Sequence, residues 1–251
     1  MRKIIVIVGP TATGKTELGI HLANKFNGEI VNGDAYQIYK NLNIGTAKPT
    51  PEEQRQAKHH LIDIKENDER YSAFEFMRDA RRIIDQIIQD GKIPIIVGGS
   101  GFFIQTLLGD RILPGPNQSK DDVPSKINQE NRIFDALIIG LNFPNRQDLY
   151  RKINARVDSM LENGLVDEAK LLFYENHLTS QSSHAIGYSQ FLDFFSGTKS
   201  LEETSELIKK DTRHYAKRQI TFFKNQFSDI NWFVPKENID QIDKKVDQFL
   251  N

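Results

Sequence analysis

The stretch Gly9-Pro-Thr-Ala-Thr-Gly14-Lys15-Thr16 constrains this chain more than any other. It fits the pattern G-x-x-x-x-G-K-[ST], and it stands in the context that pattern requires. Lys3 to Val8 is a continuous apolar run, as expected of a strand covered on both faces. Lys15 to Phe26 reads as the helix that follows. In such a loop, Gly9, Pro10, Thr11, Ala12, Thr13, Gly14, Lys15 and Thr16 wrap phosphate oxygens with inward-pointing backbone amides. Lys15 adds a charge, the Thr16 hydroxyl can ligate Mg²⁺, and the helix N-terminus contributes its positive end. The loop implies binding of a di- or triphosphate. It does not imply hydrolysis of ATP, because a diphosphate leaving group uses the same cradle.

Further apolar runs alternate with amphipathic stretches. Glu29 to Val31, His60 to Ile64, Ile93 to Val97 and Phe134 to Leu141 read as strands. Ser72-Ala-Phe-Glu75 is a capping box that opens a helix with Phe76, Ala80, Ile83, Ile84, Ile87 and Ile88 on one stripe. This alternation implies an α/β fold: a P-loop NTPase-like parallel sheet with helices on both faces. Gly9, Asp34 and Gly98 each follow a strand, so they should converge on one crevice at the carboxyl ends of the strands. Leu113 to Arg132, with its three prolines, reads as a linker. Beyond Leu141 the chain reads as mainly helical: Arg146 to Glu162, Leu165 to Tyr174, Ser189 to Phe195 and Leu201 to Phe227, then a last strand at Ile230 to Val234. Three parts are expected: 1–112 as the first part of the core, 113–132 as a shortened insertion or linker, and 133–251 as the completion of the core with a helical part.

The chain carries 33 basic and 34 acidic residues, a balance that argues against a general nucleic-acid coat. The distribution is uneven. Lys209, Lys210, Arg213, Lys217, Arg218 and Lys224 stand within one helical stretch that holds a single acidic residue, Asp211. No apolar run is long enough to span a membrane, and the N-terminal run reads as a strand rather than a signal peptide. There is no cysteine, which rules out disulfides and thiolate metal sites and fits a cytoplasmic protein. The adjacent pair His59-His60 does not have metal-ligand helix spacing, so no zinc is assigned to it.

Six segments follow the cradle in order: Gly33-Asp34-Ala35-Tyr36-Gln37, Ile44-Gly45-Thr46-Ala47-Lys48-Pro49, His59-His60-Leu61-Ile62-Asp63, Gly98-Gly99-Ser100-Gly101, Ala185-Ile186-Gly187-Tyr188 and Thr212-Arg213-His214-Tyr215-Ala216-Lys217-Arg218-Gln219. This ordered set resembles the tRNA dimethylallyltransferases over about residues 1–112 and 134–233. The resemblance implies that dimethylallyl diphosphate occupies the cradle and that the acceptor is N6 of an anticodon-loop adenine of tRNA. It implies Asp34 as the base, Thr11 as a group orienting the amine, and Lys15, Thr16 with Mg²⁺, and Arg213 as stabilisers of the departing diphosphate. Asp34, Ala35, Tyr36, Gln37 and Ser100 then face the tRNA, with Gln37 reading the adenine edge and Lys217 and Arg218 meeting phosphates. The adenine must leave its stack to react. A monomer is expected.

The chain departs from the family pattern in four places. The helical insertion that usually follows the Gly-Gly loop is replaced by Leu113 to Arg132; Asp34-Ala35 stands for Asp-Ser; and Ser189 stands where relatives have Arg or Lys. Ser100 takes the place of a threonine and keeps its hydroxyl. Three other readings share the cradle: a small P-loop kinase, a prenyltransferase acting on free adenine nucleotides, and a non-catalytic RNA-binding relative.

Overall fold

In the computed structural model, the described residues are 2–109, 132–174 and 182–251, without the side chain of Ser183. The proposed linker 113–132 lies outside them except for Arg132.

Six parallel strands form one sheet: β1 (Lys3–Val8), β2 (Gly28–Asn32), β3 (His59–His60), β4 (Ile93–Val97), β5 (Asp135–Leu141) and β6 (Asn231–Phe233). Their spatial order is β3-β2-β4-β1-β5-β6. Central β1 pairs Ile5 with Ile95 of β4 and with Leu137 of β5. Its residues Ile4 to Val8 are fully buried, which is why this strand reads as unbroken apolar sequence. β4 lies between β1 and β2, so the chain leaves β1, passes over β4 and returns at β2. The loops after these three strands therefore open on a common crevice.

One face of the sheet is covered by α1 (Lys15–Lys25) and α9 (Ile239–Leu250), which bury Leu18 and Leu22, and Ile242 and Val246. The opposite face carries α3 (Ala73–Gln89), α4 (Gly101–Leu108) and α8 (Leu201–Gln226), through Ala80, Ile84, Ile104 and Phe223. The capping box at Ser72 forms as expected, with Glu75 reaching back to the Ser72 amide. A second one at Thr50 opens the short α2 (Pro51–Gln56), and a third at Ser200 opens α8. The helices α5 (Arg146–Glu162), α6 (Leu165–Tyr174) and α7 (Phe191–Phe195) pack in series, with α5 and α7 also against α8. Leu149 and Ile153 of α5 meet Ala216 of α8 in a small apolar cluster.

Several boundaries differ from the sequence reading. β3 is two residues long and ends before Leu61, because Leu61 and Asp63 adopt positive φ (59° and 54°), which breaks an extended strand. α7 begins at Phe191, not Ser189. Helices α2, α4 and α9 were not anticipated.

Candidate active site

Three loops at the carboxyl ends of β1, β2 and β4 build the site. Gly9 leaves β1 at φ 143°, and a Cβ there would come within 2.4 Å of the Leu141 carbonyl oxygen, so only glycine fits. Gly14 caps α1 in the left-handed region. A Cβ on Gly98 would lie 2.2 Å from the Gly33 oxygen, so the β2 and β4 loops touch backbone to backbone. That contact brings Asp34 to the cradle.

The phosphate loop is held from within and from α8. Thr13 Oγ1 and Lys15 Nζ both donate to the Pro10 carbonyl (2.9 and 2.8 Å). The Thr11 amide donates to Gln219 Oε1 (3.0 Å), and Gln219 Nε2 donates to the Gly99 carbonyl (2.9 Å). One glutamine thus ties the β1 loop, the β4 loop and α8 together. Asp34 follows a turn fixed by Asn32, whose side chain bonds the Asp34 amide (3.1 Å) and the Leu61 carbonyl (2.9 Å). Asp34 Oδ1 accepts the Tyr36 amide (2.9 Å), and the Ala35 amide donates to Ser100 Oγ (2.9 Å). Asp34 therefore caps its own turn and also faces the cradle.

Arg156 of α5 completes the centre. Its Nη1 donates to Thr11 Oγ1 (3.2 Å). Arg156, Lys15 and Asp34 act electrostatically on one another. Burial first, and the Arg156 charge with it, pull the Lys15 ammonium down to about 7, against an opposing pull from Asp34. Burial pushes the Asp34 carboxyl up from its ordinary value, against the Tyr36 amide and the Lys15 charge. Two cations and a helix N-terminus thus face one carboxylate across the cavity, a field that favours a multiply charged anion.

These groups line a cavity of about 1070 Å³. Thr11 to Thr16, Asp34, Tyr36, Gln37, Gly99, Arg156, Tyr215, Arg218 and Gln219 share it, and Ile153, Val157, Met160, Ile186 and Ile208 give it an apolar wall. The volume exceeds what a diphosphate alone needs. Among the described residues, no group of three or more His, Cys, Asp or Glu could hold a metal ion. Thr16, on the cavity wall, offers a hard oxygen beside the cradle, which suits Mg²⁺ completed by diphosphate oxygens and water.

The other sequence-derived residues divide. Ser100 and Ala35 are not among the lining residues; Ser100 holds the Asp34 turn by accepting the Ala35 amide. Gln37 faces the cavity, but its Nε2 is engaged with the Thr46 and Ala47 carbonyls (3.2 and 3.1 Å). Arg218 reaches the cavity wall beside the Tyr215 ring (5.7 Å), whereas Lys217 is exposed to solvent. Arg213 is not among the lining residues: its Nη1 donates to Asn154 Oδ1 (2.7 Å), and its guanidinium stands over Tyr150 (5.8 Å). Sequence spacing put Arg213 on the right helix, but the wall of the cavity is formed by Ile208, Thr212, Tyr215 and Gln219, a stripe rotated away from it. Arg156 and the bridging role of Gln219 escaped the sequence reading. His59 and His60 serve structure, bonding the Ala57 carbonyl (2.8 Å) and Glu29 (2.6 Å).

A parallel P-loop sheet, a cationic cradle and a half-buried carboxylate across from it define a group-transfer enzyme with a phosphate-bearing donor. The family model described as IPP transferase matches residues 37–132 and 117–226, and the chain belongs to that family. A tRNA dimethylallyltransferase from Oenococcus oeni (strain ATCC BAA-331 / PSU-1) is 53% identical over 237 residues, 94% of this chain and 90% of the relative. One from Streptococcus agalactiae serotype Ia is 42% identical over 292 positions, covering 99% and 98%. That alignment is longer than the 251 residues of this chain, so the streptococcal relative carries a segment without a counterpart here. The O. oeni alignment leaves no room for such a gap. Among solved structures, the tRNA delta(2)-isopentenylpyrophosphate transferase of Staphylococcus epidermidis superposes with TM-score 0.88 at 34% identity, covering 99% of this chain and 100% of the other. The full-length tRNA isopentenylpyrophosphate transferase of Bacillus halodurans gives 0.89 at 32%, covering 100% and 97%.

Proposed function

We propose that this enzyme transfers the dimethylallyl group of dimethylallyl diphosphate to N6 of an anticodon-loop adenine in tRNA. The observation that carries the reading is the half-buried Asp34 carboxylate facing Lys15 and Arg156 across a cavity large enough for a purine.

The diphosphate lies in the cradle of residues 9–16, with Lys15 and Arg156 on its oxygens. Arg156, not Arg213, supplies the arginine charge there. Adenine N6 is a weak nucleophile because its lone pair is delocalised into the ring. As the N6–C1 bond forms, the C1–O bond to diphosphate breaks and both electrons leave with the diphosphate. Lys15, Arg156 and the loop amides stabilise that developing charge. Asp34 accepts the N6 proton, and a carboxyl pushed upward by burial is a stronger base than an exposed one. Thr11, which accepts from Arg156, orients the amine with its hydroxyl. With Nε2 of Gln37 held by two carbonyls, its oxygen is the group presented to the base, an acceptor suited to an amino group. Thr16 would hold Mg²⁺, which supplies further neutralisation of the diphosphate. The apolar wall formed by Ile153, Val157 and Met160 suits a prenyl chain. Arg218 and Lys217 at the rim meet RNA phosphates. The acceptor lies in a single-stranded loop, so extruding the base is inexpensive. No described helix is long and apolar enough to cross a membrane, and a cytoplasmic, monomeric enzyme fits this reaction.

Nucleoside analysis of tRNA incubated with the protein and dimethylallyl diphosphate tests the reading. N6-dimethylallyladenosine is the expected product. Parallel incubations with AMP and ATP as acceptors separate it from a nucleotide prenyltransferase, and their selective modification would replace tRNA as the substrate.

A further inference from the structure

Away from the reacting atoms, residues 43–47 form a tight turn along the cavity wall. Three successive amides of this turn converge on one carboxylate, that of Glu168 on α6. Asn43 N reaches Oε2 at 3.0 Å, Ile44 N reaches both oxygens at 2.9 and 3.0 Å, and Gly45 N reaches Oε1 at 3.1 Å. The fully buried Tyr188 donates its hydroxyl to the same Oε1 at 2.5 Å. Its ring lies so close to Gly45 that a Cβ there would come within 2.5 Å. A carboxylate accepting three amides and a phenol is a strong, directional anchor. Neither Glu168 nor Tyr188 lines the cavity.

The other side of the turn holds Gln37. The Thr46 and Ala47 carbonyls accept both bonds from Gln37 Nε2 and thereby fix which end of its amide faces the base. Lys48 anchors the far end of the turn, through the Tyr39 carbonyl (2.6 Å), Asn43 Oδ1 (2.9 Å) and Asp63.

We infer that Glu168, with Tyr188, is a positioning residue for acceptor-base selectivity: it fixes the 43–47 turn, whose carbonyls orient Gln37 to present an acceptor to an amino purine. The inference rests on the transfer reaction proposed above. Neutral glutamine at 168 has one acceptor oxygen for three amides, and its own NH₂ meets at least one of them donor to donor. The turn then loosens, and Gln37 is free to turn its amide over. An oxo purine, which presents an acceptor where adenine presents a donor, is no longer rejected.

The test uses the full chain as wild type, Glu168→Gln, Tyr188→Phe, Gln37→Ala and the Glu168→Gln/Gln37→Ala double variant. The first readout is amide hydrogen exchange at residues 43–45, which should quicken in Glu168→Gln and to a lesser degree in Tyr188→Phe. The second is the ratio between KM for an anticodon stem-loop with the target adenine and Ki for the same RNA carrying inosine there. Glu168→Gln should erode that discrimination by about tenfold, the scale of one or two lost hydrogen bonds. KM for dimethylallyl diphosphate should stay within about twofold, since the cradle is untouched. The double variant should discriminate no worse than Gln37→Ala alone. Unchanged discrimination with the turn opened, additive losses in the double variant, or amides that stay protected in Glu168→Gln would each overturn the assignment. If the wild-type protein prenylates no RNA, the reaction proposed above fails, and amide exchange then decides the latch on its own.

Discussion

Strand β2 has a carboxylate near each end, fully buried at Glu29 and half-buried at Asp34, and the two are treated in opposite ways. Glu29, at its start, is 2% exposed, yet it accepts bonds from Lys92 and His60 (2.6 Å each) and pairs with Lys58 (3.1 Å). Burial alone would push its carboxyl up, but those partners outweigh burial and bring it down to about 2. Asp34, just beyond the other end, has the Tyr36 and Gln37 backbone amides and two cations acting across the cavity, and burial still wins. Removal from water costs both groups, and only the first is compensated in the resting protein. Glu29 is a structural clamp at the amino edge of the sheet. Asp34 is left ready for a proton, at a carboxyl edge where the missing counter-groups belong to the substrates.

The sharpest way to break this contrast is to neutralise each carboxylate in turn. Asp34→Asn should lower prenyl transfer by about 10²- to 10⁴-fold, the range of a lost general base. It should leave the thermal midpoint unchanged or raised, because a raised pKa means that charged Asp34 opposes folding above its unfolded value. Arg156→Met should cost about 10²-fold in kcat/KM, through weaker stabilisation of the leaving diphosphate, measured by steady-state kinetics. Glu29→Gln should do the reverse: a loss of about 2–3 kcal/mol in urea unfolding, with kcat kept. The pH dependence carries the same sign. Because the folded Glu29 carboxyl is depressed, its contribution is complete above the ordinary carboxylate value of 4.5. It is lost as pH falls toward about 2, and Glu29→Gln should flatten that part of the stability curve.

A smaller effect concerns Lys15. At about 7 in the free protein, it is mostly neutral near pH 8, so diphosphate binding should draw a proton from solution there. Calorimetry in buffers of different ionisation enthalpy measures that uptake, and Lys15→Met should abolish it. Smallest of all, Ser100→Ala removes the acceptor of the Ala35 amide. It should cost about 1 kcal/mol of stability with a modest fall in transfer.

What could be read from the sequence follows from locality. The cradle, the strand that feeds it and the capping box at Ser72 are set by residues within a few positions of one another, and all three stand as expected. Asp34 could be placed because it follows a strand of a parallel sheet, and such ends converge. Arg156 could not, since its helix meets the cradle through the cluster of Leu149, Ile153 and Ala216 packed against Ala12, residues far apart in the chain. A hint existed: Arg156 is three residues after buried Ile153 and adjacent to buried Val157, at the border of the apolar stripe. Arg213 failed for the converse reason, because a helix fixes spacing but not which side it turns to the site. The helix α9 is legible in Ile239, Ile242 and Val246 at helical spacing, although no motif marks it.

The most direct measurement is nucleoside analysis of tRNA after incubation with dimethylallyl diphosphate, run side by side on the wild-type protein and on Asp34→Asn, with donor binding measured on both. N6-dimethylallyladenosine from the wild type, and almost none from a variant that folds and binds the donor equally well, is the predicted result. Undiminished product from Asp34→Asn, or no prenylated adenosine from the wild type, would contradict the account.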